Sequence, residues 1–196
     1  GNDITATNGY LNDGTLMLEG GETITGSILN RAASTVIYYG AGTYDHLEAG
    51  VSYMNLTFDD PAGTGSWTVG ATQGNVTVEL DLNDTSGHFD LSDKNLPVDA
   101  DVTIGADGAL NAPGASRTFT VGGSWDNSGS FDAKSGAVTF TGTGTVTNLG
   151  TGNFYDFTVN ASGETVTLGS DLNVDNDLTI SAGTLDTADA ADYAIN

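Results

Sequence analysis

Thr165-Val166-Thr167-Leu168-Gly169-Ser170-Asp171-Leu172-Asn173-Val174-Asp175-Asn176-Asp177-Leu178-Thr179-Ile180-Ser181-Ala182-Gly183-Thr184-Leu185 decides the fold class. Its apolar residues come in alternating pairs, Val166/Leu168, Leu172/Val174 and Leu178/Ile180, followed by Leu185. Each pair flanks one polar residue, which is the pattern of a short strand with one face buried. Successive pairs start six residues apart, and Gly169-Ser170-Asp171, Asp175-Asn176-Asp177 and Ser181-Ala182-Gly183 connect them. Strands this short make weak hairpins. They are better stabilised in a parallel β-helix, where each pairs with the coils above and below it. An antiparallel β-sandwich with short strands fits the same alternation and stays open as the alternative. No helical stripe is sustained anywhere, and Thr, Val, Gly and Asn disfavour one.

A longer repeat is expected as well. Val36-Ile37-Tyr38-Tyr39-Gly40-Ala41-Gly42-Thr43 matches Val138-Thr139-Phe140-Thr141-Gly142-Thr143-Gly144-Thr145. Tyr53-Met54-Asn55-Leu56-Thr57-Phe58 matches Phe154-Tyr155-Asp156-Phe157-Thr158-Val159 at the same offset of about 101 residues. This divides one continuous solenoid into the tail of a preceding unit (1–25), a fuller unit (26–122) and a shorter unit (123–196). The two units differ by 23 residues, about one coil of a solenoid, whose repeats start at about 20 residues.

Composition narrows the function. Of 196 residues, 28 are Gly, 26 are acidic, 4 are Lys or Arg, and none is Cys, for a formal net charge of −22. A surface this negative repels phosphate backbones and anionic membranes, so nucleic-acid partners are not expected. Disulfides and thiol chemistry are excluded outright. No apolar run approaches 18 residues, so no membrane insertion is expected. No signal peptide is visible at Gly1-Asn2-Asp3.

Gly123-Ser124-Trp125-Asp126-Asn127-Ser128-Gly129-Ser130-Phe131 and Gly136-Ala137-Val138-Thr139-Phe140-Thr141-Gly142 carry a resemblance. With Phe154 to Val159 and Leu178 to Leu185, they resemble the β-helical repeats of large bacterial surface proteins, of filamentous-haemagglutinin-like and autotransporter-type adhesins. The resemblance covers most of 123–196 and, more weakly, 26–122. It implies export and a structural or adhesive role, and it supplies no catalytic residues.

The residues themselves point away from catalysis. Acidic groups recur at Asp59/Asp60, Asp99/Asp101, Asp171/Asp175/Asp177 and Asp186/Asp189/Asp192, as expected by chance among so many acids. Glycosidase chemistry needs two carboxylates at a set separation in a groove. No enzymatic activity is therefore expected, and no catalytic or cofactor-binding residue is assigned. Calcium is the one cofactor worth naming, with Asp171, Asp175 and Asp177 as its candidate ligands and Asn173 and Asn176 between them, because it prefers hard oxygen donors. Neither an EF-hand loop nor a Gly-Gly-x-Gly-x-Asp array is present. His46 and His88 read as surface residues. The aromatics sit mostly in phase with Val and Leu and read as core, with Tyr39 and Tyr155 out of phase. Thr139/Thr141 and Thr143/Thr145/Thr147 are local runs, where an ice-binding face would need ranks over many coils.

The expected role is a structural module of an extracellular fibre, filament, surface layer or adhesin stalk at the cell surface. Terminal coils of a solenoid leave strand edges to be capped or stacked. The pattern stops at Ala194-Ile195-Asn196 with no charged cap, so self-association end to end, or neighbouring repeats of a longer chain, is the expected partner. A module binding glycans or a host surface through exposed Tyr and Asp is the alternative; a carbohydrate-active enzyme comes third.

Overall fold

The computed structural model describes residues 3–188 and 191–196, and it is a parallel β-solenoid without a helix. Every strand pairing in it is parallel, which sets aside the β-sandwich. Each coil turns through three faces. The first face holds nine strands: Thr15–Leu18, Thr35–Tyr38, Asn55–Asp59, the starts of Leu82–Asp90 and Val102–Asn111, Trp125–Asn127, Gly144–Asn148, and the ends of Phe154–Leu168 and Val174–Asp186. The second face includes Thr43–Tyr44, Ser66–Thr68, the ends of Leu82–Asp90 and Val102–Asn111, and Ser130–Asp132. The third runs through Ser52–Tyr53, Thr77–Val78, Leu96–Val98, Thr118–Val121, Ala137–Phe140 and the first halves of the last two strands.

The pairs read from the sequence fall on these faces in turn. Val166/Leu168 belong to the first face, Leu172/Val174 to the second, Leu178/Ile180 to the third and Leu185 to the first again. The corners between them are tighter than loops. Phe154–Leu168 and Val174–Asp186 each run as one strand round a bend, where pairing passes from Asn160 on Ala182 to Thr165 on Thr184 and residues 161–164 fall out of register.

Register runs one coil at a time, from 18 residues (Tyr10 to Ile28) to 27 (Asp59 to Ser86). The segments aligned at the longer offset occupy different faces: Val36 to Tyr38 lie on the first and Val138 to Phe140 on the third. Strand alternation carries no label for the face, so a sequence match can slip by a third of a coil. The ladders run through 122/123 without a break.

Parallel stacking puts equivalent residues above one another, and the core is built of such columns. Val36, Leu56, Leu82, Val102, Trp125, Val146 and Leu168 form one. Tyr53, Val78, Val98, Val121, Phe140, Val159 and Ile180 form another. Aromatic side chains gather at two levels. Phe58 stacks on Phe89 with centroids 4.3 Å apart and meets Trp67 at 5.2 Å. Trp125 packs edge-on to Phe131 at 4.7 Å, and Phe140 stacks on Phe157 at 4.9 Å.

Corner side chains extend the ladders. Asn55 Oδ1 accepts the Asp81 N–H, Asp81 accepts that of Asp101, Asp101 that of Ser124, and Ser124 Oγ that of Thr145. Each short polar side chain thus takes an amide of the next coil. A column of carboxylates meets like-charge repulsion, and elsewhere asparagine relieves it: Asn111 donates to Asp90, and Asn153 to Asp175.

One column contains an anomaly. Leu18, Tyr38, Phe58, Asp84, Ile104 and Asn127 stand in register, so Asp84 points into the core between Phe58 and Ile104. It is fully buried, and neither carboxylate oxygen has a hydrogen-bond partner. Burial pushes its pKa up to about 8, opposed only by the Ala109 N–H, whose geometry falls short of a hydrogen bond. The folded value lies above the unfolded one. Its stabilising contribution is therefore fully present below about pH 4 and lost as pH rises towards 8. Thermal melts of Asp84→Asn should show a stability advantage over the wild type that grows by about 1.4 kcal/mol per pH unit from pH 5 to pH 8, and then levels. A difference constant with pH would show that Asp84 does not titrate this way.

Candidate functional site

Two places combine exposed chemistry with a defined geometry. The first is a cleft of about 610 Å³ lined by the 20–24 and 43–48 segments, with Gly50 and Gln73. It opens where the stacking is interrupted. Ile4–Thr5 pairs with Ile24–Thr25, and Tyr10–Asn12 with Ile28–Asn30, as two separate two-stranded sheets. Among the described residues only the first face, Thr15–Leu18 on Thr35–Tyr38, carries strand pairing across this level.

The cleft wall is rigid for identifiable reasons. The Tyr44 ring stacks on Trp67 at 5.8 Å and 16°. Gly20 (φ +110°) brings the preceding coil against both rings; a Cβ there would stand 2.8 Å from Trp67 Nε1. Glu22, nearly buried, accepts the Glu19 N–H (2.6 Å) and the Gly20 N–H (2.8 Å). Gln73 reaches from the next coil, accepting the Leu47 and Gly70 N–H groups and donating to Leu47 O. Tyr38 Oη accepts the Ala49 N–H and lies 3.2 Å from Tyr53 Oη, which donates to Gly50 O at 2.6 Å.

Inside this frame His46 lies between two carboxylates. Nδ1 is 2.8 Å from Asp45 Oδ1, and Nε2 is 2.9 Å from Glu48 Oε2. Asp45 is 96% exposed at its side chain and Glu48 only 7%. The hydrogen bond to Asp45 is the main cause that raises the His46 pKa, and the same bond lowers that of Asp45. Burial raises the Glu48 pKa, with Glu22 adding to it. His46 reads in the sequence as a surface residue, and its side chain is 53% exposed. Its local run, Tyr44-Asp45-His46-Leu47-Glu48, gives the Asp–His contact but not the burial of Glu48 or its place beside Glu22 of another coil.

The second place is the last coil. Leu178 and Ile180 end the two third-face columns, and they are 39% and 52% exposed. Val174–Asp186 pairs with Phe154–Leu168 on one side. On its other side the described contacts are at the second face, where Leu172 bridges to Ile195 and Val174 N–H bonds Asn196 O.

The calcium candidates lie along this coil and serve its corners. Asp171 accepts the Ala194 N–H (2.9 Å), Asp175 accepts from Asn153 Nδ2 (2.8 Å), and the Asp177 N–H donates to Asp156. Among the described residues, no three His, Asp or Glu side chains converge as a metal ligand set. Asp189, of the Asp186/Asp189/Asp192 group, lies outside the described residues. Of the other acids, Asp60 is buried and accepts the Ala62, Thr64 and Gly65 N–H groups, which hold it below the usual carboxylate range. Tyr39 is 37% exposed, and Tyr155 is half-buried against the core. A rank missed in the sequence is Thr120, Thr139, Thr158 and Thr179, in register over four coils of the third face. The column beside it holds Thr118, Ala137, Asp156 and Asp177.

No family model, curated protein or solved structure matches this chain.

The Gln73 bridge is directly testable. Gln73→Ala strands the Leu47 and Gly70 N–H groups, while Leu47 O keeps the Gly50 N–H, so urea unfolding should show a loss of about 1–3 kcal/mol. An unchanged midpoint would mean that the bridge contributes nothing to holding the 45–50 loop.

Proposed function

We propose that the chain is a structural module of an extracellular fibre, filament, surface layer or adhesin stalk, and that coil ends are its assembly surfaces. The observation that carries this reading is the last coil. There Leu178 and Ile180, which continue two core columns, stand 39% and 52% exposed, and among the described residues the first and third faces of Val174–Asp186 show strand pairing with Phe154–Leu168 alone. Covering Leu178 and Ile180 contributes on the order of 1 kcal/mol each, because about half of each side chain remains in water. Backbone pairing adds direction, since parallel strands accept a further strand in one register only. The covering coil comes from a second copy or from neighbouring repeats of the same polypeptide.

The charge and composition support an exterior role. Several acids serve at corners as acceptors for the next coil, as Asp81 does for Asp101 and Asp101 for Ser124. The net charge of −22 keeps lateral surfaces apart and leaves apolar ends as the favourable contact. This reading is structural and assigns no catalytic role.

Sedimentation velocity at increasing concentration is the test. The wild type should form species longer than a monomer, more readily at high salt, where charge repulsion is screened. Ile180→Lys should remain monomeric with unchanged thermal stability. A wild type that stays monomeric throughout, or an Ile180→Lys variant that associates equally well, overturns coil-end assembly of copies.

A further inference from the structure

The cleft at the interrupted ladder has a property independent of assembly. Both ring nitrogens of His46 face carboxylate oxygens within 3 Å. A neutral imidazole has one N–H and one lone pair, so it can satisfy only one of them; the imidazolium satisfies both. The geometry is that of the charged ring. Among the described residues no lysine or arginine pairs with Asp45, Glu48 or Glu22. His46 is the cation on which this acidic group depends.

The groups facing it come from several elements. Asp45 and Glu48 belong to its own loop. Glu22 comes from the preceding coil and repels Glu48 across the cleft. Tyr38 and Tyr53, on neighbouring strands, are raised far above the ordinary phenol range by burial and stay neutral. Gln73, from the following coil, is uncharged. Asp45 can turn into water when its partner is lost. Glu48 cannot do so without moving, because its side chain is enclosed.

We propose that Asp45, His46 and Glu48 form a proton-operated clasp, in which protonated His46 holds the 45–50 loop against the Glu22 loop, and deprotonation loosens residues 3–30 from the coils that follow. The step is a proton transfer from the imidazolium to solvent. It leaves at most one uncharged N–H on the ring, directed at one carboxylate, and two like charges, Glu22 and Glu48, across the junction. The junction is where such a change is felt most, because only the first-face ladder pairs strands across it.

Hydrogen exchange read by mass spectrometry tests this on the whole chain. After correction for intrinsic base catalysis, the amides of Gly20, Leu47 and Ala49 should exchange about fivefold to tenfold faster at pH 9 than at pH 6. That range is the exchange of one charge-assisted bond for a neutral one. Amides within 118–168 serve as the internal control, since the titration of Asp84 acts on the fold as a whole. His46→Gln should show the fast behaviour at both pH values, and His46→Lys the slow behaviour at both. Glu48→Gln should remove most of the dependence while keeping the fold. Equal corrected exchange at both pH values in the wild type overturns the clasp. So does a His46→Gln or His46→Lys variant that keeps the wild-type difference between junction and control amides.

Discussion

The structure depends on one constraint: in a parallel in-register stack, every residue sits on its counterpart one coil away, about 4.8 Å distant. A side chain must therefore tolerate its own kind as a neighbour. Aliphatic and aromatic residues do so easily, which gives the columns ending at Leu168 and Ile180. Threonine and asparagine do so through hydroxyl and amide groups. Carboxylates do so only with relief, and the chain supplies it by directing them at backbone amides, as from Asp81 to Asp101 to Ser124, or by interposing Asn111 and Asn153. The acidity of the chain and its regular architecture are thus two aspects of the same corner chemistry.

Much of the fold was legible because the coil is written locally. The alternating pairs from Val166 to Leu185 mark three faces and their corners with no long-range information. The same locality hid the register. Alternation looks alike on every face, so Val36 and Val138 aligned in sequence although they stand on different sides of the core. The rank of Thr120, Thr139, Thr158 and Thr179 was missed for the same reason. Its members are separated by 19 to 21 residues and become a set only when the coils are stacked.

The sites were less legible, and particular residues show why. Asp84 follows Asn83 in an ordinary polar run, and only its column, between Phe58 and Ile104, reveals that it faces inward. His46 is flanked by acids in the sequence, but the burial of Glu48 and its nearness to Glu22 arise only when the coils are stacked. The calcium candidates Asp171, Asp175 and Asp177 were visible as a cluster along the chain. The fold distributes them around successive corners, where Asp171 and Asp175 accept hydrogen bonds from neighbouring coils.

The interrupted stacking near the start of the described chain also has a mechanical meaning. Hydrogen bonds between coils run along the solenoid axis, so tension along that axis loads them directly and separates coils in order of their weakest joint. Most coils are held by ladders on three faces. Residues 3–30 are held to the next coil by strand pairing on the first face alone. Under load this joint has fewer strand pairs to share the force than the joints between coils paired on three faces.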